Sequence, residues 1–315
     1  MLKGRIKERQ AVLRIKTDLQ HPDPSIRDWW AAKIVDSPEH TNPKAAKLHV
    51  WPSYNFASAI DDHLMKVTLI IRGQEHEQNK TKQEFLYKRF GWTYPHCYHF
   101  GRISLQGVVL STSKIKEGIE KGEYSGWDDP RLGTIQAFRK KGFKPEPLKE
   151  AILDLGVNPN DATIQWDKLI DLNRKLIEPE SDRMAFVEEP LQLDVHLAPG
   201  GMSRLIVDKK QFEQFKPGDV IRLRQLFNVK ITKKDPLQVF GDFVGEAKIN
   251  KPIVSWFKQG KDVEIVMDDG TRKLGLADEA IADKKQGSRV YFDRLGFCIV
   301  DEAEAGKVLL RFTHK

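Results

Sequence analysis

The chain has 315 residues, 40% hydrophobic and 31% charged, with a net charge of +7. That length allows two or three compact domains, while the absence of any run of about 18 apolar residues excludes a helical membrane span. The basic stretch Met1 to Gln10 has no apolar signal-peptide region, and two distant cysteines, Cys97 and Cys298, make neither a disulfide framework nor a zinc site by themselves.

A reduced, cytoplasmic protein with no metal is therefore expected. The charge is uneven: residues 1–150 carry 26 Lys and Arg against 18 Asp and Glu, and residues 151–315 carry 26 against 27. A basic first half suits a polyanion, but a solvated basic surface looks the same.

In chain order, Ala11 to Lys16 alternates apolar and charged residues as a half-buried strand does. A Pro-containing loop, His21 to Pro24, follows. Trp51 to Phe56 reads as extended, Val67 to Ile71 as an apolar strand, and Glu75 to Phe90 as a helix stopped by Gly91. Strand, loop and helix in this order suit a parallel α/β sheet. His96-Cys-Tyr-His99 lacks a fourth metal ligand and reads as a packed strand. Residues 114–182 read as helices punctuated by Gly118, Gly122, Gly126, Gly142 and Gly156. After about Arg183 the runs Leu191–Leu197, Val220–Leu226, Val239–Val244, Val263–Met267, Ser288–Phe292 and Val308–Phe312 are β-prone. They are separated by turns such as Pro199-Gly-Gly201, which predicts barrels or a sandwich.

Three stretches carry more information. They are Trp51-Pro-Ser-Tyr-Asn-Phe-Ala-Ser58 with Thr68-Leu-Ile-Ile-Arg-Gly-Gln-Glu-His76, then Gly101 to Lys114, then Gly126-Trp-Asp-Asp-Pro-Arg131 with Phe138-Arg-Lys-Lys-Gly-Phe143. In this order and spacing the chain resembles, from about Val12 to its end, class I glutamyl- and glutaminyl-tRNA synthetases. The branch is the archaeal and eukaryotic one with β-barrel anticodon domains. The resemblance implies a multidomain fold: the end of an acceptor-stem-binding insertion (1–49), the second half of a Rossmann-type catalytic domain (50–113), a helical tRNA-contacting subdomain (114–182) and anticodon-binding β-barrels (183–315). It implies activation of glutamate with ATP (as its Mg2+ complex, a substrate) and transfer to the 3′ end of tRNA-Glu, with tRNA-Gln open. A monomer away from membranes is expected.

By the same resemblance Tyr54 and Ser58 line the amino-acid pocket. Arg72 stands where glutamate enzymes have Arg and glutaminyl enzymes a small neutral residue, and a guanidinium suits a carboxylate. The alternatives are a buried core tyrosine and a structural ion pair. The family's Lys-Met-Ser-Lys-Ser loop is degenerate as Val109-Leu-Ser-Thr-Ser113, with Thr112 in place of the second lysine, which offsets charge on the leaving pyrophosphate. Ser111, Ser113 and Lys114 are the catalytic candidates, with Lys114 two residues beyond the missing lysine. Without the motif, Ser-Thr-Ser-Lys is an ordinary helix cap. Arg102, Ile103 and Thr112 are expected at the ATP.

Arg131, Arg139, Lys140 and Lys141 are expected on tRNA phosphates, or else on a solvated helix face. Arg204 is expected at an anticodon base. The family's His-Ile-Gly-His signature occurs nowhere in the sequence, so the chain corresponds to the C-terminal portion of such an enzyme. By itself it is expected to be inactive. A tRNA-binding module without catalysis is the competing reading, and a glutaminyl enzyme is disfavoured by Arg72.

Overall fold

The computed structural model describes residues 1, 4–197, 199–304 and 307–315. The alternating segment near the start forms strand β1 (Val12–Arg14), paired antiparallel with β2 (Trp30–Ile34), which pairs with β3 (Val50–Pro52). The three β1 residues are exposed, and the partial burial of the segment falls on its flanks at Ala11 and Ile15; in β2, Ala32 and Ile34 are buried on one face and Ala31 on the other.

The stretch read as extended through Phe56 ends sooner. Ser53 accepts the Phe56 amide at 3.3 Å and caps helix α1 (Tyr54–Leu64), which satisfies an amide that would otherwise lack a partner. Strand β4 (Leu69–Gly73) follows, then a single 3-10 turn (Gln74–His76), helix α2 (Glu77–Phe90) and strand β5 (His96–Phe100). Gly91 at φ 70° ends α2 in the left-handed region that glycine adopts without strain. β4 and β5 pair in parallel, Ile70 opposite Cys97 and Arg72 opposite His99, as the strand–helix–strand pattern predicts. Between α1 and α2 lie buried Ala59, Leu86 and Tyr87, with Phe56, Ile60, Trp92 and Tyr94 packed around them. The Trp92 ring stacks on His63 at 3.7 Å.

These elements belong to a compact unit of Met1–Ser104 with Leu155–Thr163; a second unit is Leu105–Asp154 with Ile164–Lys315. The chain passes from one to the other along β6 (Ile103–Leu105) and β7 (Ala162–Ile164), which pair.

The first helices of the second unit are α3 (Thr112–Glu120), α4 (Ile135–Lys140), α5 (Pro145–Leu155, whose last residue falls in the first unit) and α6 (Trp166–Ile177). Gly118 lies inside α3 rather than at its end. A Cβ there would stand 2.5 Å from the Tyr124 ring, so this glycine serves packing. Asn173 of α6, fully buried, bonds the imidazole of His314 at 2.9 Å and accepts the Lys144 amide at 2.9 Å. The helices are thereby fastened to the last strand of the chain.

The remaining strands are β8 (Asp182–Met184), β9 (Phe186–Val187), β10 (Pro190–Leu197), β11 (Gly201–Asp208), β12 (Val220–Leu223), β13 (Asn228–Lys234), β14 (Gln238–Gly245) and β15 (Ile253–Val254), then β16 (Gly260–Val266), β17 (Arg272–Asp278), β18 (Arg289–Phe292), β19 (Gly296–Glu304) and β20 (Lys307–His314). One sheet runs β11-β10-β14-β13-β12-β15. Ile206 of β11 and Phe257, just past β15, exchange backbone bonds of 2.8 and 3.2 Å, which joins the sheet's two edges. The other runs β8-β18-β19-β20-β16-β17-β9. Its edge strands β8 and β9 are one continuous segment interrupted only at Ala185, so this sheet also rolls onto itself. Closure removes exposed edges. Alternation sends Leu191, Leu193, Val195, Val229 and Ile231 into one core and Val263, Ile265, Val308 and Leu310 into the other. Each such side chain contributes about 1.5–3 kcal/mol by leaving water.

Candidate functional site

The polar centre of the first unit is Arg72. Its position in β4 sends the side chain to the face of the β4–β5 pair that carries Ile70, Cys97 and His99, where α1 and α2 supply the other walls. The guanidinium is half-buried. Its Nη1 donates to the Gln83 carbonyl oxygen at 3.1 Å and its Nη2 to the Tyr94 hydroxyl at 2.9 Å. Tyr94 in turn donates to the same Gln83 oxygen at 2.8 Å. Gln83 Nε2 donates to Ser58 Oγ at 2.7 Å, and Ser58 donates to the Tyr54 carbonyl at 2.8 Å.

No carboxylate lies in ion-pair contact with Arg72 among the described residues, and its Nε is buried without a hydrogen-bond partner. A buried charge left with neutral partners is costly. Burial opposes the charge, yet Tyr94, Cys97 and Tyr54 together push the arginine's pKa above its ordinary value. Around it, burial pushes the Tyr94 phenol well up despite Arg72 and raises Asp62 despite Arg72. Burial, and then Arg72, lower His99, which keeps that imidazole neutral at neutral pH. The site is thus one permanent cation whose side-chain hydrogen-bond partners, Gln83 and Tyr94, are neutral.

Tyr54, 56% exposed on the first turn of α1, lies beside His76 with ring centroids 5.8 Å apart. It is not the buried core ring that a lone tyrosine suggests. Ser58 is engaged at both ends of its hydroxyl, so it supports the site from behind. Gln83 and Tyr94 escaped the sequence reading. A signal for Gln83 existed: it shares a helix face with Leu86 and Tyr87, three and four residues on, and a glutamine on a buried face is out of place. His96 and His99 of β5 point to opposite faces, as alternation requires, so they cannot share a metal ion.

Arg102 is exposed, its backbone amide held by Asp161 at 2.7 Å, and Ile103 is 37% exposed. The neighbouring Gly101 passes so close to Asn160 that a Cβ would lie 2.1 Å from its carbonyl oxygen.

In the second unit Ser111 is the residue before α3, and its side chain makes no cap bond. Thr112, Ser113 and Lys114 form the exposed first turn. Among the described residues Lys114 has no ion-pair partner, and the turn holds no acidic residue. A lysine at the positive end of a helix is unfavourable unless an anion joins it.

The expected tRNA-contacting cations separate. Arg139 is exposed, and Lys140 bonds Asp128. Lys141 contradicts the expectation: it is 4% exposed, donates to the Pro130 carbonyl at 3.0 Å and lies 5.1 Å from the Trp166 ring and 5.4 Å from that of Phe138. Burial lowers its pKa. Adjacent helical residues point about 100° apart, so a run of three cations cannot all face solvent on one side. Arg204 is exposed on β11 beside buried Asp194, at 3.2 Å, and Asp194 is also held by Gln192 and Gln238.

Arg131 is half committed. Its Nε and Nη2 each donate at 2.8 Å to buried Asp129, and it stacks over Tyr124 at 5.1 Å. Burial opposes the Asp129 charge, but bonds from Arg131 and the Ser125 amide hold its carboxyl well below the usual range. A depressed folded-state pKa stabilises above the unfolded pKa of about 4 and is lost as pH falls below it. Asp129→Asn is expected to cost about 1–3 kcal/mol at neutral pH and to remove that part of the acid sensitivity. Denaturant melts at pH 7 and pH 3 check both; equal loss at the two pH values would refute the charge-based account.

Residues 1–179 match the family described as tRNA synthetases class I (E and Q), catalytic domain. The chain belongs to the class I glutamyl- and glutaminyl-tRNA synthetases. Over its whole length it is 43% identical to a glutamate–tRNA ligase of Pyrococcus abyssi, 44% to one of Thermococcus kodakarensis and 37% to one of Methanopyrus kandleri. It spans 60% of the length of each of these curated relatives. A glutamate–tRNA synthetase structure from Elizabethkingia anophelis covers 40% of this chain and 31% of its own, at 24% identity and a TM-score of 0.31, too slight a likeness to argue from. Membership of this family accounts for a strand–helix–strand catalytic fold followed by β-rich sheets, as the synthetase resemblance implied.

Proposed function

We propose that this chain is part of a glutamate–tRNA ligase, and that Arg72 receives the side-chain carboxylate of glutamate. The observation that carries the proposal is the unpaired charge: a half-buried guanidinium whose hydrogen-bond partners are neutral, with no ion pair among the described residues and a buried, partnerless Nε. A carboxylate is the ligand that balances it, and a planar fork of donors recognises carboxylate in preference to amide. Tyr54 stands at the edge of the same pocket, with Ser58 behind it.

Arg102 and Ile103 serve the adenosine of ATP, which enters as its magnesium complex, and Ser111, Thr112, Ser113 and Lys114 serve its phosphates. The segments take the roles the family gives them: acceptor-stem-binding insertion (1–49), catalytic domain (50–113), helical tRNA contact (114–182) and anticodon-binding barrels (183–315). tRNA-Glu is the acceptor, with Arg131, Arg139 and Lys140 on its phosphates and Arg204 at an anticodon base; the enzyme acts as a cytoplasmic monomer.

The test is aminoacylation of tRNA-Glu by the protein that carries this chain, with labelled glutamate and labelled glutamine in parallel. Charging with glutamate is expected, and charging with glutamine alone would overturn the reading.

Lys140→Ala is expected to weaken tRNA binding about equally for cognate and unrelated tRNAs. It is also expected to flatten the log–log salt dependence by about one unit per lost phosphate contact. Lys141→Met should leave that slope unchanged, because its ammonium is already buried. A slope unaltered by Lys140→Ala would assign Lys140 to its Asp128 pair alone.

A further inference from the structure

Gln83 is fully buried in α2 and has no apolar reason to be there. Its side-chain oxygen accepts from both Arg72 Nη1 and Tyr94 Oη, and its side-chain nitrogen donates to Ser58. These partners fix the amide's orientation, since an oxygen facing two donors cannot be exchanged for an NH2 group. Because Tyr94 also accepts from Arg72 Nη2, the two groups hold both outer nitrogens of the guanidinium. The second hydrogens of the outer nitrogens remain for a ligand, while the Nε is buried.

We infer that Gln83 is a positioning residue for amino-acid specificity. With Tyr94 it sets the plane and the open edge of the Arg72 guanidinium, and it leaves the charge undiminished because it is neutral. A glutamate in its place would pair with Arg72 and take up the charge the substrate needs. Ser58 belongs to this device: it holds the Gln83 amide and ties it to the backbone of Tyr54. The inference rests on the reading of Arg72 as the glutamate-binding residue.

The experiment measures glutamate-dependent tRNA charging by the protein carrying this chain, for Gln83→Met, Gln83→Glu, Arg72→Ala and the double variant Gln83→Met with Arg72→Ala. Gln83→Met is expected to raise the glutamate KM on the order of 10-fold with little change in the KM for ATP. Gln83→Glu, which keeps the size, is expected to raise it more. In the double variant Gln83→Met should add nothing to Arg72→Ala, because a positioning residue acts only through the group it positions. Additive effects, or equal changes in the KM for glutamate and for ATP, would show a merely structural glutamine and overturn the inference. A Gln83→Glu enzyme with an unchanged glutamate KM would overturn it even if Gln83→Met failed to fold. An Arg72→Ala enzyme with normal glutamate kinetics would instead remove the underlying reading of Arg72.

Discussion

Arg72→Ala is expected to raise the glutamate KM on the order of 10- to 1000-fold. The guanidinium is half-buried, and what it offers a carboxylate is a charge-assisted, multidentate contact out of bulk water. Removing one partner of such a contact costs about 1.5–4 kcal/mol, and 1.4 kcal/mol is a factor of ten. The truncation also leaves the Gln83 oxygen and the Tyr94 hydroxyl without their arginine. Those two still bond each other at 2.8 Å, so the pocket should hold its shape. Arg72→Lys separates charge from geometry: a lysine restores a point charge but not the planar fork, so it should recover only part of the loss. Initial-rate kinetics over glutamate concentration check this, with the ATP KM as control. Unchanged glutamate kinetics in Arg72→Ala would leave the arginine a structural residue.

Lys114→Ala is expected to slow glutamate activation about 10- to 1000-fold with little effect on the glutamate KM. Charge on the leaving pyrophosphate develops in the transition state, so a cation acting there changes rate more than ground-state binding. The structure supports this through what surrounds Lys114. It occupies the exposed first turn of α3, no described acidic residue pairs with it, and the turn carries no acid of its own. If Thr112 and Lys114 serve the same phosphates, Thr112→Lys on the Lys114→Ala background should restore part of the rate, since Thr112 stands where the family has its second lysine. Pre-steady-state measurement of adenylate formation is the check. A rate within twofold of the parent would leave Lys114 a solvent-facing residue of the helix start.

The parts of this molecule legible in the sequence were those where local pattern and fold agree. Gly91 marked the end of α2, and the hydrophobic run before Arg72 became a parallel strand beside β5. The β-prone runs after Arg183 each became strands. The strands between them include Asn228–Lys234, where Val229 and Ile231 point inward, and Arg272–Asp278, where Ala277 does. Trp51 to Phe56 reads as extended in the sequence, whereas Tyr54 opens α1. Ser53 was the overlooked cue, since a serine followed by a run without glycine or proline starts a helix as readily.

Lys141 shows the opposite limit. In the sequence it is one of three consecutive cations; in the structure its stem and ammonium sit between Phe138 and Trp166, partners that only tertiary packing supplies. Arg72 was legible through its motif, but the Gln83–Tyr94–Ser58 network was not, because its members lie on α2, the approach to β5 and α1 and meet only when the chain folds.

The central claim is that the Arg72 guanidinium takes the substrate's side-chain carboxylate. Its most direct test is a crystal structure of the protein carrying this chain with a non-hydrolysable analogue of glutamyl-adenylate. The expected result is a side-chain carboxylate about 2.7–3 Å from the outer nitrogens of Arg72, with Gln83 and Tyr94 still bonded to the guanidinium. A carboxylate held elsewhere, with no ligand oxygen bonded to the Arg72 outer nitrogens, would contradict it.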